Sequence, residues 1–88
     1  MQYIVLDLEW NQALTRESMR RKGFTLVGEI IQIGAVKLDG DLCATDTLRL
    51  IVAPKYYTKM HWSVKKLTGI NSKMLESGLS FQIGRAHV

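Results

Sequence analysis

The alternation of side chains at the start of the chain predicts a β-strand with apolar residues on both faces. Tyr3 and Val5 lie on one face, and Ile4 and Leu6 lie on the other. This pattern is typical of a strand inside a covered sheet. We therefore expect this strand to be central in its sheet.

Two carboxylates stand at the end of this strand. Asp7 and Glu9 share a face, because side chains alternate along a strand and positions two apart are roughly 6.5 Å from each other. Carboxylates held this close with little water repel each other, so the patch is either well solvated or holds a cation. A hard divalent ion such as Mg²⁺ suits such a patch, because it binds through one or two carboxylates and substrate phosphate.

Two further strands follow. Residues 29–38 carry alternating apolar side chains, and residues 42–52 alternate apolar with polar ones. The second pattern predicts a half-exposed edge strand that stops before Pro54. The pair Asp39 and Gly40 between them suits a type I′ turn, since both central positions of that turn need positive φ. We expect an antiparallel hairpin here.

The period changes after the third strand and predicts two short helices. Ser63 suits an N-cap, and Gly69 suits the left-handed position that ends a helix. Asn71 or Ser72 would begin the second helix, which Gly78 would end.

A long polar connection, residues 11–28, joins the first two strands. It contains Arg16, Arg20, Arg21 and Lys22 without a clear period. Connections of this length are usually functional or mobile. The segment is either a solvated surface loop or a basic flap that meets a phosphate backbone beside the carboxylates.

Three antiparallel strands leave one edge of the first strand unpaired. An unpaired apolar edge is an aggregation hazard. The pattern therefore predicts that the sheet is completed by more chain than these residues provide.

The composition limits the class of protein. With 88 residues the chain is one domain at most, and its 47% hydrophobic and 23% charged residues are near globular averages. No secretory signal or membrane-spanning run is evident, and a single cysteine, Cys43, fits a reducing cytoplasm. The net charge of +4 favours an anionic partner such as nucleic acid.

Three sequence blocks in this order resemble the DEDD 3′-to-5′ exonucleases. They are Asp7-x-Glu9, residues 28–36 (Gly-Glu-Ile-Ile-Gln-Ile-Gly-Ala-Val) and residues 67–70 (Leu-Thr-Gly-Ile). Within that superfamily the chain is most similar to the ribonuclease T, DNA polymerase III epsilon-subunit and histone-mRNA exonuclease group. The resemblance implies an α/β fold, the ribonuclease H-like mixed sheet, of which this chain has only the N-terminal three antiparallel strands and the short helices that follow.

The resemblance also implies a metal site. Asp7 would bridge two divalent ions, Mg²⁺ or Mn²⁺, and Glu9 would bind one of them. Both would serve hydrolysis of phosphodiester bonds at the single-stranded 3′ end of RNA or DNA. In such sites one ion lowers the pKa of the attacking water and the other stabilises the leaving oxygen, with the ions about 3.5–4 Å apart.

Three further residues are implied to contact the substrate. The backbone after the Glu usually meets the terminal nucleotide, which here means Trp10 and Asn11, although small Thr-type residues are common there in the family. Trp10 is either a stacking face for a base or a half-buried core residue. Leu67 either wedges against the terminal base or belongs to the helix core.

Half of the family's metal site is expected outside this chain. The second Asp and a later motif, a His or Tyr followed by Asp, belong to later strands and helices. His87 is rejected as the family's base because it comes too early and lacks the following Asp, and His61 is interpreted as a surface histidine. We interpret residues 1–82 as the N-terminal half of an exonuclease domain, and residues 83–88 as a non-native tail that resembles translated sequencing-adapter DNA.

Three hypotheses follow. The first is an exonuclease that is active only at full length. The second is a ribonuclease H-like module that binds nucleic acid without cutting it, with affinity from the basic connection. The third, expected for these 88 residues alone, is an inactive fragment with solvated carboxylates, since two carboxylates without their partners bind Mg²⁺ weakly.

Overall fold

The structure, a computed structural model, describes residues 1–21 and 23–86. The strands come first along the chain, and the α-helices follow them. The strands are β1 (Tyr3–Gln12), β2 (Arg20–Arg21), β3 (Phe24–Thr25), β4 (Gly28–Leu38) and β5 (Ala44–Ile51). The α-helices are α1 (Trp62–Thr68), α2 (Ser72–Glu76) and α3 (Phe81–Ala86), and a short 3-10 helix covers Glu17–Met19.

The main sheet has three antiparallel strands in the order β1-β4-β5. The central strand is β4, so the expectation that β1 is central is wrong for the residues described. The reason is that β4 occupies one edge of β1 and no other described strand pairs with the second edge. The side chains of Ile4 and Leu6 on β1 are 57% and 54% exposed.

The hairpin between β4 and β5 forms as predicted, but its turn is of another type. Leu42 N–H donates to the Asp39 carbonyl, and the Asp39 carboxylate accepts from the N–H groups of Asp41 and Cys43. The positive φ falls on Leu42, at 62°, and not on Gly40. The type I′ prediction is therefore wrong, because the Asp39 side chain organises a longer loop around itself.

An irregularity in the pairing of β1 with β4 lies beside Ile31, which simple alternation places on the same face as Ile33. Glu9 pairs with Gln32 and Trp10 pairs with Ile30, so Ile31 has no direct partner on β1. A bulge of this kind changes where the following side chains point. Ile31 is buried in one cluster with residues of the α1 and α2 region, whereas Ile33 lies beside α3.

The apolar core lies between β4 and the segment that carries α1 and α2. It is small and consists of Ile31, Met60, Val64, Ile70 and Leu75, with Ile51 packed against it. This core places α1 on the sheet. No helix in residues 1–21 or 23–86 is long and apolar enough to cross a bilayer.

The ends of α1 and α2 follow the capping signals in part. Gly69 ends α1 with a φ of 74°, and the Asn71 side chain accepts from Met74 N–H at the start of α2, as predicted. The N-cap of α1 is His61 and not Ser63, because the His61 ring accepts from the Ser63 N–H. Gly78 lies past α2 where a Cβ would be 2.8 Å from the Ala53 nitrogen, so close packing requires glycine there.

Residues 13–27 contain more structure than their polar sequence predicted. The strands β2 and β3 pair as a separate two-stranded ribbon. The Tyr57 hydroxyl lies within hydrogen-bond distance of the backbone carbonyls of Ser18 and Leu26, which ties the middle and the end of the connection to the protein body. Lys22, one of the four basic residues, lies outside the described residues.

The third helix was not predicted. It begins at Phe81 and continues to Ala86, and Gly84 is buried where a Cβ would be 3.3 Å from a Val52 methyl group. His87 and Val88 lie outside the described residues. The interpretation of residues 83–88 as a non-native tail stays a prediction.

Substitutions in the hairpin loop test the observed turn. Leu42→Gly should raise the free energy of unfolding by about 1 kcal/mol, because a non-glycine residue in the left-handed region costs roughly 1–2 kcal/mol. Gly40→Ala should be tolerated within about 0.5 kcal/mol, since Gly40 does not have a positive φ. Urea unfolding of the chain followed by circular dichroism measures both, and a type I′ turn would give a marked loss for Gly40→Ala and no gain at position 42.

Candidate functional site

A cavity of about 550 Å³ lies on one face of the main sheet. Asp7 and Glu9 both line it, which agrees with the prediction that they share a face. The helix α1 contributes the remaining wall at its C-terminal end. The residues around the cavity are Val5, Asp7, Glu9, Gln32, Gly34, Ala35, Val36, Thr47, Leu48, Arg49, Leu67 and Thr68.

Gly34 lines this cavity between two charged residues. It pairs with Asp7 on one side and with Arg49 on the other, so the three residues form a row across the sheet. A Cβ at Gly34 would meet the Asp7 carbonyl oxygen at 3.5 Å, an ordinary van der Waals contact. The backbone therefore tolerates a side chain at this position, and the effect of glycine is to keep the space between Asp7 and Arg49 open.

The two carboxylates are not used by the fold. Asp7 is exposed and Glu9 is half-buried. Neither side chain has a hydrogen bond or ion pair with another residue of the described ranges. Their lone pairs are thus available to water, a cation or a ligand in the cavity.

Glu29 shows the opposite arrangement. Its carboxylate accepts hydrogen bonds from three consecutive backbone N–H groups, those of Lys55 at 3.0 Å, Tyr56 at 2.8 Å and Tyr57 at 2.6 Å. The role of Glu29 is therefore to hold the segment that follows β5. Sequence reasoning assigned it no role, because its partners lie 26 to 28 positions away.

Asn11 also has a structural role. Its side chain is completely buried and donates at 2.9 Å to the carbonyls of Tyr57 and Lys59, while its oxygen accepts from the His61 N–H at 2.9 Å. The carboxamide is therefore not available to a nucleotide. The implied contact of the Asn11 backbone with substrate stays a prediction.

Leu67 lies in the cavity and is 87% exposed. Of the two interpretations of Leu67, helix core is therefore wrong, because the apolar side of α1 is formed by Val64 instead. An apolar side chain this exposed beside Asp7 and Glu9 is available for contact with a ligand. That it contacts a terminal base stays a prediction.

Trp10 projects away from the carboxylates. It follows Glu9 on β1, and its side chain lines a second cavity of about 540 Å³ together with Ile30, Pro54 and Phe81. The ring is 51% exposed. A base stacked on this ring would lie outside the cavity that holds Asp7 and Glu9.

His61 is half-buried and not simply a surface residue. Its Nδ1 lies 3.2 Å from the Ser63 N–H and 2.8 Å from the Ser63 hydroxyl, and its ring stacks on Trp62 at 5.5 Å. These contacts assign His61 to the start of α1. It does not line the carboxylate cavity.

Asp7 and Glu9 fit part of a divalent-cation site. Mg²⁺ commonly binds through one or two carboxylates and completes its shell with water and phosphate oxygens. Within residues 1–21 and 23–86 no group of three or more His, Cys, Asp or Glu side chains is arranged to hold a metal. The described residues therefore supply two carboxylates beside an open cavity, and no closed metal cage.

The buried amide of Asn11 provides a stability test. Asn11→Ala should lower the free energy of unfolding by about 2–4 kcal/mol, because it leaves buried backbone groups of the 57–61 segment without partners. Asn71→Ala is the matched control, since it removes an exposed N-cap and should cost about 1 kcal/mol. Urea unfolding measures both, and equal losses would contradict a special role of Asn11.

The glycines provide a second test. Gly34→Ala should keep the free energy of unfolding within about 1 kcal/mol of the wild-type value, because its Cβ makes ordinary contacts. Gly28→Ala should lower it by about 1–3 kcal/mol, since its Cβ would lie 2.6 Å from the Asn11 carbonyl oxygen. Thermal unfolding of the two variants makes the comparison, and a severe loss for Gly34→Ala would show that the backbone requires this glycine.

Comparison with known proteins identifies the fold. No family model and no curated relative matches the sequence. Among solved structures, the chain superposes on a full-length 3′-exonuclease with a TM-score of 0.75 at 24% identity, covering 98% of this chain and 27% of that one.

Two further solved structures have the same fold over this chain. The nuclease domain of 3′hExo, a DEDDh family member bound to rAMP, gives a TM-score of 0.77 at 23% identity, with 98% of this chain and 40% of that chain covered. The cell-death related nuclease 4 (CRN-4) gives 0.74 at 16% identity, with 98% and 28% covered. The chain thus spans between about a quarter and two fifths of the proteins that it matches, and its described residues have the N-terminal part of the ribonuclease H-like fold of the DEDDh 3′-exonucleases.

Proposed function

We propose that this chain is the N-terminal part of a DEDD-superfamily 3′-to-5′ exonuclease that hydrolyses phosphodiester bonds of RNA or DNA. One observation supports this most directly. In a fold shared with 3′-exonucleases, Asp7 and Glu9 converge on an open cavity and have no hydrogen-bond or ion-pair partner among the described residues. The Glu29 carboxylate, by contrast, is engaged by three backbone N–H groups.

The two carboxylates would hold divalent cations, Mg²⁺ or Mn²⁺. Asp7 would bridge two ions and Glu9 would bind one of them, with the remaining ligands supplied from outside residues 1–82. Such ions activate a water and stabilise the leaving oxygen in phosphodiester hydrolysis. The contribution of this chain is to hold both carboxylates on one strand and to keep the cavity beside them open through Gly34.

The substrate would be the single-stranded 3′ end of a nucleic acid. One structural neighbour is described as bound to rAMP, and another as showing 3′-end specific recognition of a histone mRNA stem-loop. In this chain Leu67 would contact the terminal base from α1, and the backbone of Trp10 and Asn11 would pass near its sugar. The exposed position of Leu67 within the carboxylate cavity supports this arrangement.

A second candidate function is binding without cleavage. The basic connection would then supply affinity through contacts with the phosphate backbone. Its attachment to the protein body through Tyr57 supports a defined position for this segment beside the sheet. The uncommitted carboxylates favour the exonuclease, because carboxylates without a bound cation repel phosphate.

A substitution that removes one charge and keeps the shape separates the two functions. In the polypeptide that the source locus encodes, Asp7→Asn should lower Mg²⁺-dependent release of nucleotides from a 5′-labelled oligonucleotide at least about 100-fold. Binding of the oligonucleotide should persist. Cleavage should fall because the amide keeps the volume of the carboxylate but loses the charge that would hold the cation.

The matched control is Asp46→Asn, which removes the same charge from an exposed position of β5 outside the cavity. It should leave the rate unchanged. Cleavage by the Asp7→Asn protein at the wild-type rate would reject a role for Asp7 in catalysis, and oligonucleotide binding without any Mg²⁺-dependent cleavage by the wild-type protein would support the binding module.

A further inference from the structure

The carboxylate cavity contains one cationic side chain among its described lining residues, that of Arg49. Arg49 lies on β5, the strand farthest from Asp7 in the sheet. Its neighbour two positions earlier, Thr47, lines the same cavity, so this face of β5 is polar. No motif of the sequence draws attention to this arginine.

The sheet register places Arg49 opposite the carboxylates. Arg49 pairs with Gly34, and Gly34 pairs with Asp7. Neighbouring strands are about 4.8 Å apart, so the Cα atoms of Asp7 and Arg49 are separated by roughly 10 Å across Gly34. Because Gly34 has no side chain, the position on β4 between Asp7 and Arg49 is left open, whereas Gln32 occupies the position beside Glu9.

The Arg49 guanidinium is not engaged by the fold. The residue is exposed, and its side chain has no hydrogen bond or ion pair within residues 1–21 and 23–86. Lys55 provides a contrast, because its ammonium group lies 5.3 Å from the centre of the Tyr56 ring. Arg49 therefore keeps all its donors available to a ligand in the cavity.

We propose that Arg49 binds the phosphate group of the nucleic-acid ligand, across Gly34 from Asp7 and Glu9. The proposal rests on the proposed exonuclease function. Arginine suits this position because its planar fork of N–H donors matches two phosphate oxygens at once and stays charged. The phosphate would then lie between two sources of positive charge, the cations at the carboxylates and the guanidinium on β5.

Arg49 could instead act only as a counter-ion that lowers repulsion between Asp7 and Glu9. The two roles predict different effects of removing the charge. If Arg49 binds phosphate, removing its charge weakens nucleotide affinity. If Arg49 is only a counter-ion, it competes with cations, so removing its charge raises cation affinity and leaves nucleotide affinity unchanged.

Binding measurements on the polypeptide that the source locus encodes distinguish these roles. Calorimetric titration with adenosine 5′-monophosphate in the presence of Mn²⁺ would be made for the wild type, Arg49→Ala and Arg49→Lys, and Mn²⁺ alone would be titrated in parallel. Arg49→Ala should weaken nucleotide affinity about 10-fold or more without weakening that for Mn²⁺. Arg49→Lys should recover only part of the loss, since lysine keeps the charge without the fork.

Lys37→Ala is the control, because it removes one positive charge from an exposed β4 position outside the cavity. It should bind the nucleotide like the wild type. Arg49 is exposed on an edge strand, so its substitution should leave the circular dichroism spectrum unchanged.

Each outcome addresses a separate claim. Wild-type nucleotide affinity in the Arg49→Ala chain, with Mn²⁺ still bound, overturns the role of Arg49 and leaves the metal site intact. Binding of Mn²⁺ without nucleotide by the wild type also overturns it. If Asp7→Asn leaves Mn²⁺ affinity unchanged, the proposed exonuclease function is wrong. If nucleotide binding in that case still depends on Arg49, the cavity contains a phosphate site without a metal.

Discussion

The buried amide of Asn11 is the interaction on which the geometry of the cavity depends. A polar group with no access to water must find its hydrogen-bond partners inside the protein. Asn11 finds three, all in the segment that leads into α1. The end of β1 is thereby joined to the start of α1, and α1 in turn carries Leu67 and Thr68 to the cavity of Asp7 and Glu9.

The fold uses some polar side chains of this chain and leaves others without a partner. Asn11, Glu29 and Tyr57 are used by the fold, since each binds backbone groups of distant segments. Asp7 and Arg49 have no such partners within the described ranges and face a common cavity. Charged side chains without a partner in the fold remain available to a ligand in that cavity.

The first strand has exposed apolar side chains beside its carboxylates. Its apolar residues are exposed on both faces of the strand, as Ile4 and Val5 show. Residues of this kind are typical of a surface that another part of a protein covers. The solved 3′-exonucleases that share this fold are two to four times longer than the part that matches, and the apolar pattern of β1 is consistent with a sheet that extends beyond β1.

The amino-acid sequence by itself determined the local features of this protein. Alternation placed Asp7 and Glu9 on one face, and glycine chemistry ended α1 at Gly69, because both depend only on neighbours along the chain. The three sequence blocks, in their order, also predicted the ribonuclease H-like fold. The turn at Leu42 and the bulge at Ile31 escaped prediction, since a side-chain hydrogen bond and cross-strand pairing overrode the local signals.

Only the tertiary structure decided which residues surround the carboxylates. The burial of Asn11 depends on partners up to 50 positions away, and the exposure of Leu67 depends on how α1 lies on the sheet. The position of Arg49 opposite Asp7 depends on the register of three strands together. Such arrangements join segments that are distant along the chain, and no periodicity within a single segment specifies them.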